Sequence, residues 1–449
     1  MRALIGITTL STANSSLKAH CEWLDSIWSR AEKTISVIGF LFILAACDLV
    51  PSQPTQPPEQ YLNNALDWIE THAVLGDRVD WDQVRQEAAN LASGAQTTAE
   101  MHLALEHVLR TLCHAGDYDA FFEDPETPTS GKTSGYISTY PDGVIVQVWP
   151  GSPSERAGIQ VGDTIETLNG KPFAEIGDPC SGNRGSEKEE IVIRRKSEKG
   201  PLVFQLSVAS VNLPESTGRL LGSPWENIGY LQLTMDTGAT IYPTYPTHVQ
   251  NILRIIDQTP ICGWIIDLRR LNGGDLWSYL AGVGPVLGEG ELGGFVYMDG
   301  QRDTWAYRDG KIYWGDEERY ESYVRGSIYQ LKNPVPAVAL LTSKTTIAAG
   351  ELVEVAFRGR PNVRFFGEPT AGIPFLMDHT ILSDGATINL SAARSYDRLG
   401  NEYAGPLVPD ETLATDWLKI GSNQDPLIRA AADWLKANPV CVAQEDNTR

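Results

Sequence analysis

The sequence predicts a mixed α/β protein built from three folded blocks, on the basis of three observations. Apolar residues recur at helical spacing in the first block, residues 61–126. The second block, residues 131–213, is β-rich, with short apolar stretches separated by glycine and proline turns. In the third block, residues 225–437, strands alternate with helices, which implies crossover connections and a mixed or parallel sheet.

Length, charge and cysteine spacing limit the number of domains and the kinds of partner that the sequence predicts. At 449 residues the chain is long enough for two or three domains, and its 42% hydrophobic content is typical of globular proteins. A formal net charge of -21 repels phosphate backbones, so no nucleic acid partner is expected. The six cysteines show no metal-type spacing, so the sequence predicts no metal site, no cofactor and at most one or two disulfides.

The N-terminal residues 1–47 predict export and membrane anchoring. Basic Arg30 and Lys33 precede an apolar run that is shorter than the roughly 20 residues a membrane span needs, but that suits a secretory signal. The run ends in Leu-Ala-Ala-Cys47, which resembles a bacterial lipobox and implies cleavage before Cys47 and lipidation of its thiol. An uncleaved N-terminal anchor is the alternative. The proline-rich residues 48–60 predict an extended tether, which would hold the protein at the cell envelope, on the outer face of the cytoplasmic membrane or the periplasmic side.

Capping residues mark helices in the first block and at the end of the chain. Asp80 and Thr97 each precede a glutamine or glutamate by three residues, the spacing of a capping box. The last helix of the block stops near Gly116, a suitable left-handed C-cap, and the final helix of the chain is predicted to begin after Asp425. Three histidines of the first block have spacings that fit no zinc motif. We interpret them as surface or core residues: His102, His107 and His114.

A string in the second block resembles the bacterial PDZ signature. Residues 150–163 read Pro-Gly-Ser-Pro-Ser-Glu-Arg-Ala-Gly-Ile-Gln-Val-Gly-Asp, which predicts a short helix followed by a tight turn. A PDZ fold binds an extended peptide by strand addition and holds its terminal carboxylate with loop amides. The resemblance therefore implies a peptide-binding segment at Gly135, Tyr136 and Ile137. A rigid spacer with a blocked groove is the alternative.

Two strand-to-helix turns in the third block carry residues suited to acyl chemistry. The strand at residues 265–269 leads into Gly273 and Gly274, whose backbone amides can stabilise an oxyanion. A second strand leads into Thr-Thr-Ile-Ala-Ala-Gly-Glu at residues 345–351, which opens another helix. Together with the PDZ-type string, these turns resemble the tail-specific, C-terminal-processing family of serine peptidases. The resemblance covers nearly the whole chain after the tether.

The resemblance implies a nucleophile and a base that this chain lacks. In the family, a Thr-Ala-Ser-x-x-Glu turn carries the attacking serine, and the matching residue here is Ala348. Members with a Ser-Lys pair carry the lysine after the position of Gly367, yet no lysine occurs here between Lys344 and Lys419. Members of the tricorn-core and nisin-resistance-protein type use a histidine in a Gly-Asp-x-His-Ser-Phe context, where this chain has Asp119. The oxyanion amides implied by the resemblance belong to Gly273, Gly274 and Ala349.

A relocated nucleophile is one way in which activity would survive these changes. Ser343 and Thr346 lie upstream of the turn, and His379 and Asp384 follow in the next loop. Amides aimed at residue 348 would miss a shifted hydroxyl, so the sequence does not favour this arrangement.

These substitutions favour a peptide-binding pseudoprotease over an enzyme. A methyl group at Ala348 supplies no attacking atom, and nucleophilic acyl transfer needs one with a base in hydrogen-bond reach. The loss at Asp119 as well favours natural degeneration over a single engineered change. The expected partners are unfolded or C-terminal peptide segments of envelope proteins. Two alternatives stay open: an active serine endopeptidase, with a non-standard site or inactivated in this sequence, and an adaptor that docks on another envelope protein without binding peptides.

Overall fold

The computed structural model describes residues 56–124, 132–181, 188–235, 245–319 and 324–448. The predicted signal region, including Cys47, and residues 48–55 of the predicted tether lie outside these ranges. Within the ranges, no helix combines the length and the apolar composition that crossing a bilayer requires. The fold class is mixed α/β, as predicted, with helices and several sheets.

Helices dominate the first folded segment, and their ends follow the predicted caps. The helices are α1 (Pro58–His72), α2 (Trp81–Leu91) and α3 (His102–His114), followed by strand β1 (Phe121–Glu123). Asp80 caps α2 by accepting from the backbone N–H of Gln83 at 3.2 Å. Thr97 and Glu100 form the reciprocal capping box ahead of α3, at 3.2 and 3.3 Å. Gly116 follows α3 at φ 112°, as a left-handed C-cap requires.

The PDZ-like segment forms a small β-rich unit with its own core. Its elements are β2 (Tyr136–Ser138), β3 (Ile145–Val148), α4 (Pro153–Ala157), β4 (Thr164–Leu168), β5 (Lys171–Pro172), α5 (Phe173–Ile176), β6 (Lys188–Arg194) and β7 (Leu202–Ser207). Ser152 caps α4 by accepting from Glu155 N–H at 3.1 Å, and Gly158 ends the helix at φ 89°. β2 pairs with β3, while β5, β4, β6 and β7 form a second sheet in that order. Ile145, Ile165 and Ile191 pack in the core between them.

The remaining residues carry the largest set of elements. The strands are β8 (Thr217–Leu220), β9 (Ile228–Gln232), β10 (Gly263–Asp267), β11 (Gly290–Tyr297), β12 (Arg302–Arg308), β13 (Lys311–Trp314), β14 (Glu317–Glu318), β15 (Ala337–Thr342), β16 (Val363–Gly367), β17 (Phe375–Ile381), β18 (Thr387–Asp397), β19 (Glu402–Tyr403) and β20 (Glu411–Thr412). The helices are α6 (Tyr245–Ile256), α7 (Leu276–Leu287), α8 (Ala349–Phe357), α9 (Pro426–Ala437) and α10 (Pro439–Thr448).

A six-stranded sheet carries the central core, within the described ranges. Its order is β20-β16-β15-β10-β9-β8, and all neighbours are parallel except β8 and β9, so the predicted mixed sheet is confirmed. α6, α7 and α8 pack on one face, where side chains such as Trp264 and Val353 are buried. α9 packs on the other face through Leu427 and Ile428. Helices on both faces bury the parallel strands, as their nearly continuous apolar sequence requires.

A second, antiparallel sheet was not predicted from the sequence. Among the described residues it has eight strands, ordered β1-β18-β11-β12-β13-β14, with β17 and β19 also paired to β18. The prediction that His379 lies in a loop is wrong, because His379 is part of β17 and pairs with Asn389. The apolar faces of α1 and α3 pack against β18 through Leu66, Leu105 and Ile388. The sheet therefore joins the helical segment to the central core.

Candidate functional site

The turn between β15 and α8 holds the position at which the family resemblance implies a nucleophile. Ala348 stands directly before the first residue of α8, with φ 50° and ψ -112°. A residue that carries a Cβ adopts positive φ only at a cost, so the surrounding structure must hold this conformation in place. The backbone of this turn is therefore strained at residue 348, whose side chain is a methyl group. We call residues 345–348 the nucleophile turn, after the position that the resemblance implies.

The glycine turn after β10 lies beside this turn. β10 and β15 are adjacent parallel strands, so their carboxyl ends open on the same edge of the sheet. Asn272 and Ile347 form a parallel bridge, and Ile347 N–H donates to the carbonyl of Leu271 at 3.1 Å. A Cβ on Gly350 would lie 2.2 Å from that same carbonyl oxygen. Only glycine at residue 350 lets the two turns approach so closely.

The predicted oxyanion residues lie in these two adjacent turns. Gly273 and Gly274 have φ of 111° and 102°, which side chains other than hydrogen rarely tolerate. The hydroxyl of Tyr279 donates to the carbonyl of Gly273 at 2.9 Å and fixes the first of these peptides. Ala349 is the first residue of α8, so its N–H belongs to the unsatisfied donors of a helix N-terminus. Their use as an oxyanion hole stays a prediction.

Glu351 holds the nucleophile turn together, a role that the sequence did not reveal. Its carboxylate accepts from the backbone N–H groups of Ala348 at 2.9 Å, Gly372 at 2.7 Å and Ile373 at 3.0 Å, and from the Thr370 hydroxyl at 2.5 Å. Burial raises the pKa of Glu351 to about 7, against the opposing effect of these donors. Only half of a capping box forms here, because Ala348 has no side-chain acceptor.

The hydroxyl groups near the turn donate hydrogen bonds to backbone carbonyls. The fully buried Ser343 donates to the carbonyl of Arg269 at 3.1 Å, and Thr345 donates to the same carbonyl at 2.8 Å. Thr346 is also fully buried and donates to the carbonyl of Leu268 at 3.0 Å. These bonds point the hydroxyls into the protein, so they provide no support for a relocated nucleophile.

Asp384, the other candidate for a relocated site, contacts the helical segment. Its carboxylate accepts from the Tyr61 hydroxyl at 3.0 Å and lies 2.8 Å from Nε2 of His102. These partners lower the pKa of Asp384 although its burial acts in the opposite direction. The geometry assigns Asp384 to the packing of α1 and α3 against the loop before β18.

The segment at residues 116–119, which includes Asp119, borders the hydrophobic cluster against which Ala348 packs. That cluster consists of Val74, Leu75, Ile373 and Phe375, with Ile347, Ala348 and Ala404 packed against it. A Cβ on Gly116 would lie 3.7 Å from Cδ1 of Leu75, so the end of α3 borders the cluster. Arg78 donates to the carbonyls of Ala115 at 3.1 Å and Ala404 at 3.2 Å and joins the two regions.

Asp117 and Asp119 place two carboxylates in this segment. Asp117 is fully buried and accepts from the hydroxyl of Ser391 at 2.7 Å and its N–H at 3.0 Å. Burial, followed by the charge of Asp117, raises the pKa of Asp119 to about 7. Burial also raises the pKa of Asp117 despite its hydrogen bonds. An acidic side chain thus occupies the position at which the resemblance implies a histidine.

The predicted peptide-binding residues lie on an edge strand. β2 pairs only with β3 among the described residues, so its other edge offers free backbone groups. Trp149 N–H donates to the carbonyl of Gly135 at 2.9 Å, which directs Gly135 inward, and antiparallel alternation then directs the N–H of Tyr136 outward. A Cβ on Gly135 would lie 2.2 Å from Cβ of Ser152, so the strand begins against the cap of α4. Binding of a peptide by strand addition at this edge stays a prediction.

An ion pair connects this unit to the nucleophile turn. Nζ of Lys344, in the turn after β15, lies 2.9 Å from the carboxylate of Asp142, in the loop between β2 and β3. Both side chains are partly exposed, so the pair contributes little stability. The pair shows that the loop between β2 and β3 lies close to the turn that carries Ala348.

A buried charge network supports the glycine turn from below. Arg269 and Asp267 are fully buried and 2.6 Å apart, and Arg269 also lies 2.6 Å from the equally buried Asp425. Asp425 at the same time caps α9 by accepting from Leu427 N–H at 3.0 Å. The predicted cap is confirmed, but its second role as an ion-pair partner was missed, since no local pattern connects residues 269 and 425.

Metal-ligand side chains cluster at another place in the fold. Within the described ranges, one group of this kind occurs, formed by His114, Asp178 and Cys180. Cys180 is bonded to Cys113, and a second disulfide joins Cys262 to Cys441. The group lies where α3 meets the PDZ-like unit, not at the nucleophile turn.

Comparisons with known proteins match the two units to families. Residues 227–413 match the profile of peptidase family S41, and residues 144–180 match the profile of the PDZ domain. The chain is 31% identical over 164 residues to the nisin-resistance protein of Lactococcus lactis subsp. lactis, which covers 35% of this chain and half of that protein's length. It is 24% identical over 321 residues to a carboxyl-terminal-processing protease of Picosynechococcus sp., which covers 68% of this chain and 71% of that protein.

Solved structures share the fold. A photosystem II D1 C-terminal processing protease aligns with a TM-score of 0.57 at 18% identity, over 86% of this chain and 99% of its own. A lipoprotein from Streptococcus agalactiae aligns with a TM-score of 0.52 at 16% identity, over 86% of this chain and 98% of its own. Identities this low establish the fold alone. Together with the sequence matches they confirm the resemblance: the chain contains a PDZ domain followed by a domain of peptidase family S41, and its relatives include C-terminal-processing proteases.

Proposed function

We propose that this chain is an exported, lipid-anchored homologue of C-terminal-processing proteases that binds peptides and does not hydrolyse them. The observation that carries the proposal is Ala348, a methyl group on the strained turn at which the family resemblance implies a serine. Acyl transfer begins with attack by an oxygen or sulfur atom on the carbonyl carbon. Without that atom, the remaining amides and the PDZ domain serve binding only.

The surroundings of the turn support the loss of catalysis. Ser343, Thr345 and Thr346 all donate to backbone carbonyls, so none of them is positioned as a nucleophile. The lysine of the Ser-Lys arrangement has no counterpart in the sequence, and Asp119 stands in place of the histidine. A carboxylic acid with a pKa of about 7 accepts protons, but a base is of no use to a reaction that lacks its nucleophile.

The open edge of β2 supports peptide binding. An extended peptide that pairs with this edge gains backbone hydrogen bonds whatever its sequence, and loop amides select a free C-terminal carboxylate. Asp142, in the loop that follows β2, lies 2.9 Å from Lys344 in the turn after β15, so this edge lies near the nucleophile turn. The proposed ligands are unfolded segments or C-terminal tails of other envelope proteins.

The anchor rests on the N-terminal sequence. The Leu-Ala-Ala-Cys47 string resembles a lipobox, and one of the structural relatives is described as a lipoprotein. Lipidation at Cys47 would keep the folded domains at the membrane surface. Metabolic labelling with a fatty acid is expected to label the wild type and not the Cys47→Ala variant, and labelling of neither would contradict the anchor.

A hydrolysis assay tests the central claim. The full chain, purified in detergent, is incubated with an unfolded protein that ends in small apolar residues, and separately with a serine-directed phosphonate probe. We expect no turnover and no covalent adduct. Turnover that disappears in the Thr346→Ala or Ser343→Ala variant would establish the active-endopeptidase alternative and overturn the proposal.

A binding assay separates a peptide binder from an adaptor. Fluorescence anisotropy compares peptides that differ only in a free or an amidated C-terminus, and we expect the amidated peptide to bind at least about tenfold more weakly. Tyr136→Pro removes the outward N–H of β2 and should abolish binding, whereas Tyr136→Phe keeps it and should bind like the wild type. Absence of binding by either peptide would favour the adaptor.

A further inference from the structure

A disulfide joins the PDZ domain to the end of α3, six residues before Asp119. Cys113 lies near the end of α3, and Cys180 lies in the turn after α5 of the PDZ domain. Both side chains are buried. Two other side chains with metal-binding atoms stand at the same joint: His114, the last residue of α3, and Asp178, two residues before Cys180.

The ligand atoms at this joint lie almost as close together as the ligand atoms of a bound metal ion. The ligand atoms of His114, Asp178 and Cys180 all lie within 4.8 Å of one another, and Cys113 is bonded to Cys180. Tetrahedral zinc with Zn–S of about 2.3 Å and Zn–N of about 2.1 Å places its ligand atoms roughly 3.3–3.8 Å apart. Three of the atoms must approach one another by up to about 1 Å to reach that spacing, and the two sulfurs must separate to about 3.8 Å once they are no longer bonded.

The backbone already orients part of the site. Cys180 N–H donates to Oδ1 of Asp178 at 2.9 Å, which fixes the carboxylate beside the cysteine and leaves its other oxygen for a ligand. Among the described residues His114 has no hydrogen-bond or ion-pair partner, and its exposed ring offers a path for an ion from solvent. Two ligands come from α3 and two from the PDZ domain, so an ion would connect the same two units as the disulfide.

We propose that reduction of the Cys113–Cys180 bond converts this joint into a Zn²⁺ site formed by Cys113, His114, Asp178 and Cys180. A dithiol reductant supplies two electrons and two protons, is itself oxidised to a disulfide, and leaves two cysteine thiols. Zn²⁺ then displaces both thiol protons and binds the two thiolates, the imidazole and the carboxylate. Two thiolates, one imidazole and one carboxylate match the donor types of structural zinc sites. The PDZ domain and α3 are then connected in both redox states, by the disulfide when the cysteines are oxidised and by the bound ion when they are reduced.

The sequence predicted no metal site because the two pairs of ligands are 64 residues apart at their nearest members, His114 and Asp178. Local spacing motifs detect ligands that share one loop or one helix. This site depends on the docking of the PDZ domain against α3, which only the tertiary structure reveals.

Zinc titration tests the proposal. The full chain in detergent is reduced with a phosphine, which takes up oxygen from water and leaves two thiols per disulfide, and bound Zn²⁺ is measured by competition with a chromophoric chelator. We expect the reduced wild type to bind one Zn²⁺ more than its oxidised form and one more than reduced Cys180→Ser. The Cys262→Ser/Cys441→Ser variant removes the other disulfide and should bind zinc like the wild type.

Two further variants keep the test decisive if Cys180→Ser does not fold. His114→Ala and Asp178→Asn retain the disulfide during folding, and each should weaken zinc binding after reduction at least about tenfold. Substitution by Co²⁺ should give the thiolate charge-transfer absorption of a site with two sulfur ligands, absent from the oxidised chain. Equal zinc content in reduced and oxidised wild type, or no effect of either variant, would overturn the proposal.

Discussion

The nucleophile turn and the Asp119 segment both lack the side chain that the family resemblance implies, but in different ways. At Ala348 the backbone keeps its strained conformation, its bond to Glu351 and its close contact with the glycine turn. At Asp119 the side chain is replaced by one of opposite charge, and a second carboxylate, Asp117, stands beside it. The first change removes an atom from an intact scaffold, whereas the second alters the electrostatics of the region.

Backbone scaffold and side-chain chemistry are therefore separable in this domain. Glu351 and Gly350 act on the backbone, so the turn survives the loss of the serine that it would present. Burial and the nearby charge of Asp117 raise the pKa of Asp119 and so make its ionisation unfavourable. We therefore expect the nucleophile position to accept a serine readily and the histidine position to control both proton transfer and stability.

The largest effect is expected from removal of Glu351. Glu351→Ala leaves three backbone N–H groups and one hydroxyl without their acceptor in a buried site, which should cost about 3–5 kcal/mol of unfolding free energy. Chemical denaturation measures the loss. Glu317→Ala, at an exposed position of β14, should stay within about 0.5 kcal/mol of the wild type. A loss for Glu351→Ala as small as that of the control would show that the turn does not depend on this carboxylate.

Restoring both side chains is expected to restore chemistry. Ala348→Ser alone should stay at background because it has no base, while Ala348→Ser with Asp119→His should hydrolyse a fluorogenic peptide about 10²-fold faster than the single variant. Ala349→Ser with Asp119→His offers the hydroxyl one residue away and should stay inactive. Activity of Ala348→Ser alone would show that another group acts as the base.

Neutralising Asp119 is expected to change how stability depends on pH. The raised pKa means that the folded state binds its proton more tightly than the unfolded state, so the wild type loses stability as pH rises from about 4 through about 7. Asp119→Asn removes this loss, and because the side chain is partly exposed we expect a gain of roughly 1–2 kcal/mol at pH 8 relative to pH 4. Denaturation at both pH values measures it, with the exposed neighbour Tyr118→Phe as control. An effect of equal size at both pH values would contradict the assignment.

The smallest effect concerns backbone strain at the nucleophile turn. Ala348→Gly should stabilise the protein by about 1 kcal/mol, because glycine adopts the observed φ of 50° without a Cβ penalty. Ala349→Gly, one residue later in a helical conformation, should instead destabilise it by about 0.5–1 kcal/mol. Thermal unfolding compares the two. Equal signs for both variants would show that the turn is not strained.

Local chemistry made several elements predictable. Asp80, Thr97 and Asp425 were recognised as helix caps because capping depends on side chains a few residues apart, and all three accept the expected N–H bonds. The strands β10 and β15 of the parallel sheet were predicted because they are continuously apolar, whereas β20, which is short and polar, was not. Helix starts were less accurate: the string at residues 345–351 was predicted to open a helix, but its residues up to Ala348 form a turn and the helix begins at Ala349.

Elements whose partners are distant in sequence escaped prediction. The antiparallel sheet joins β1, near residue 121, to β18, near residue 388. Neither strand has a sequence pattern that identifies its pairing partner. Glu351 was visible as the last residue of a motif, but its bonds to residues 370–373 depend on how a later loop folds back. The pairing of Cys113 with Cys180 was likewise left open by the sequence.

The sequence alone led to the expectation that the nucleophile and the histidine are missing, because the identity of residues 348 and 119 does not change on folding. It also determined the domain types, whose signatures lie within short strings. The folded structure shows which groups meet: the two turns at one sheet edge, the donors around the carboxylate of Glu351, and the side chains of His114, Asp178 and Cys180 at the PDZ joint. Such meetings depend on the packing of whole elements across long stretches of chain, and the free energy of that packing is spread over many residues rather than encoded at the positions brought together.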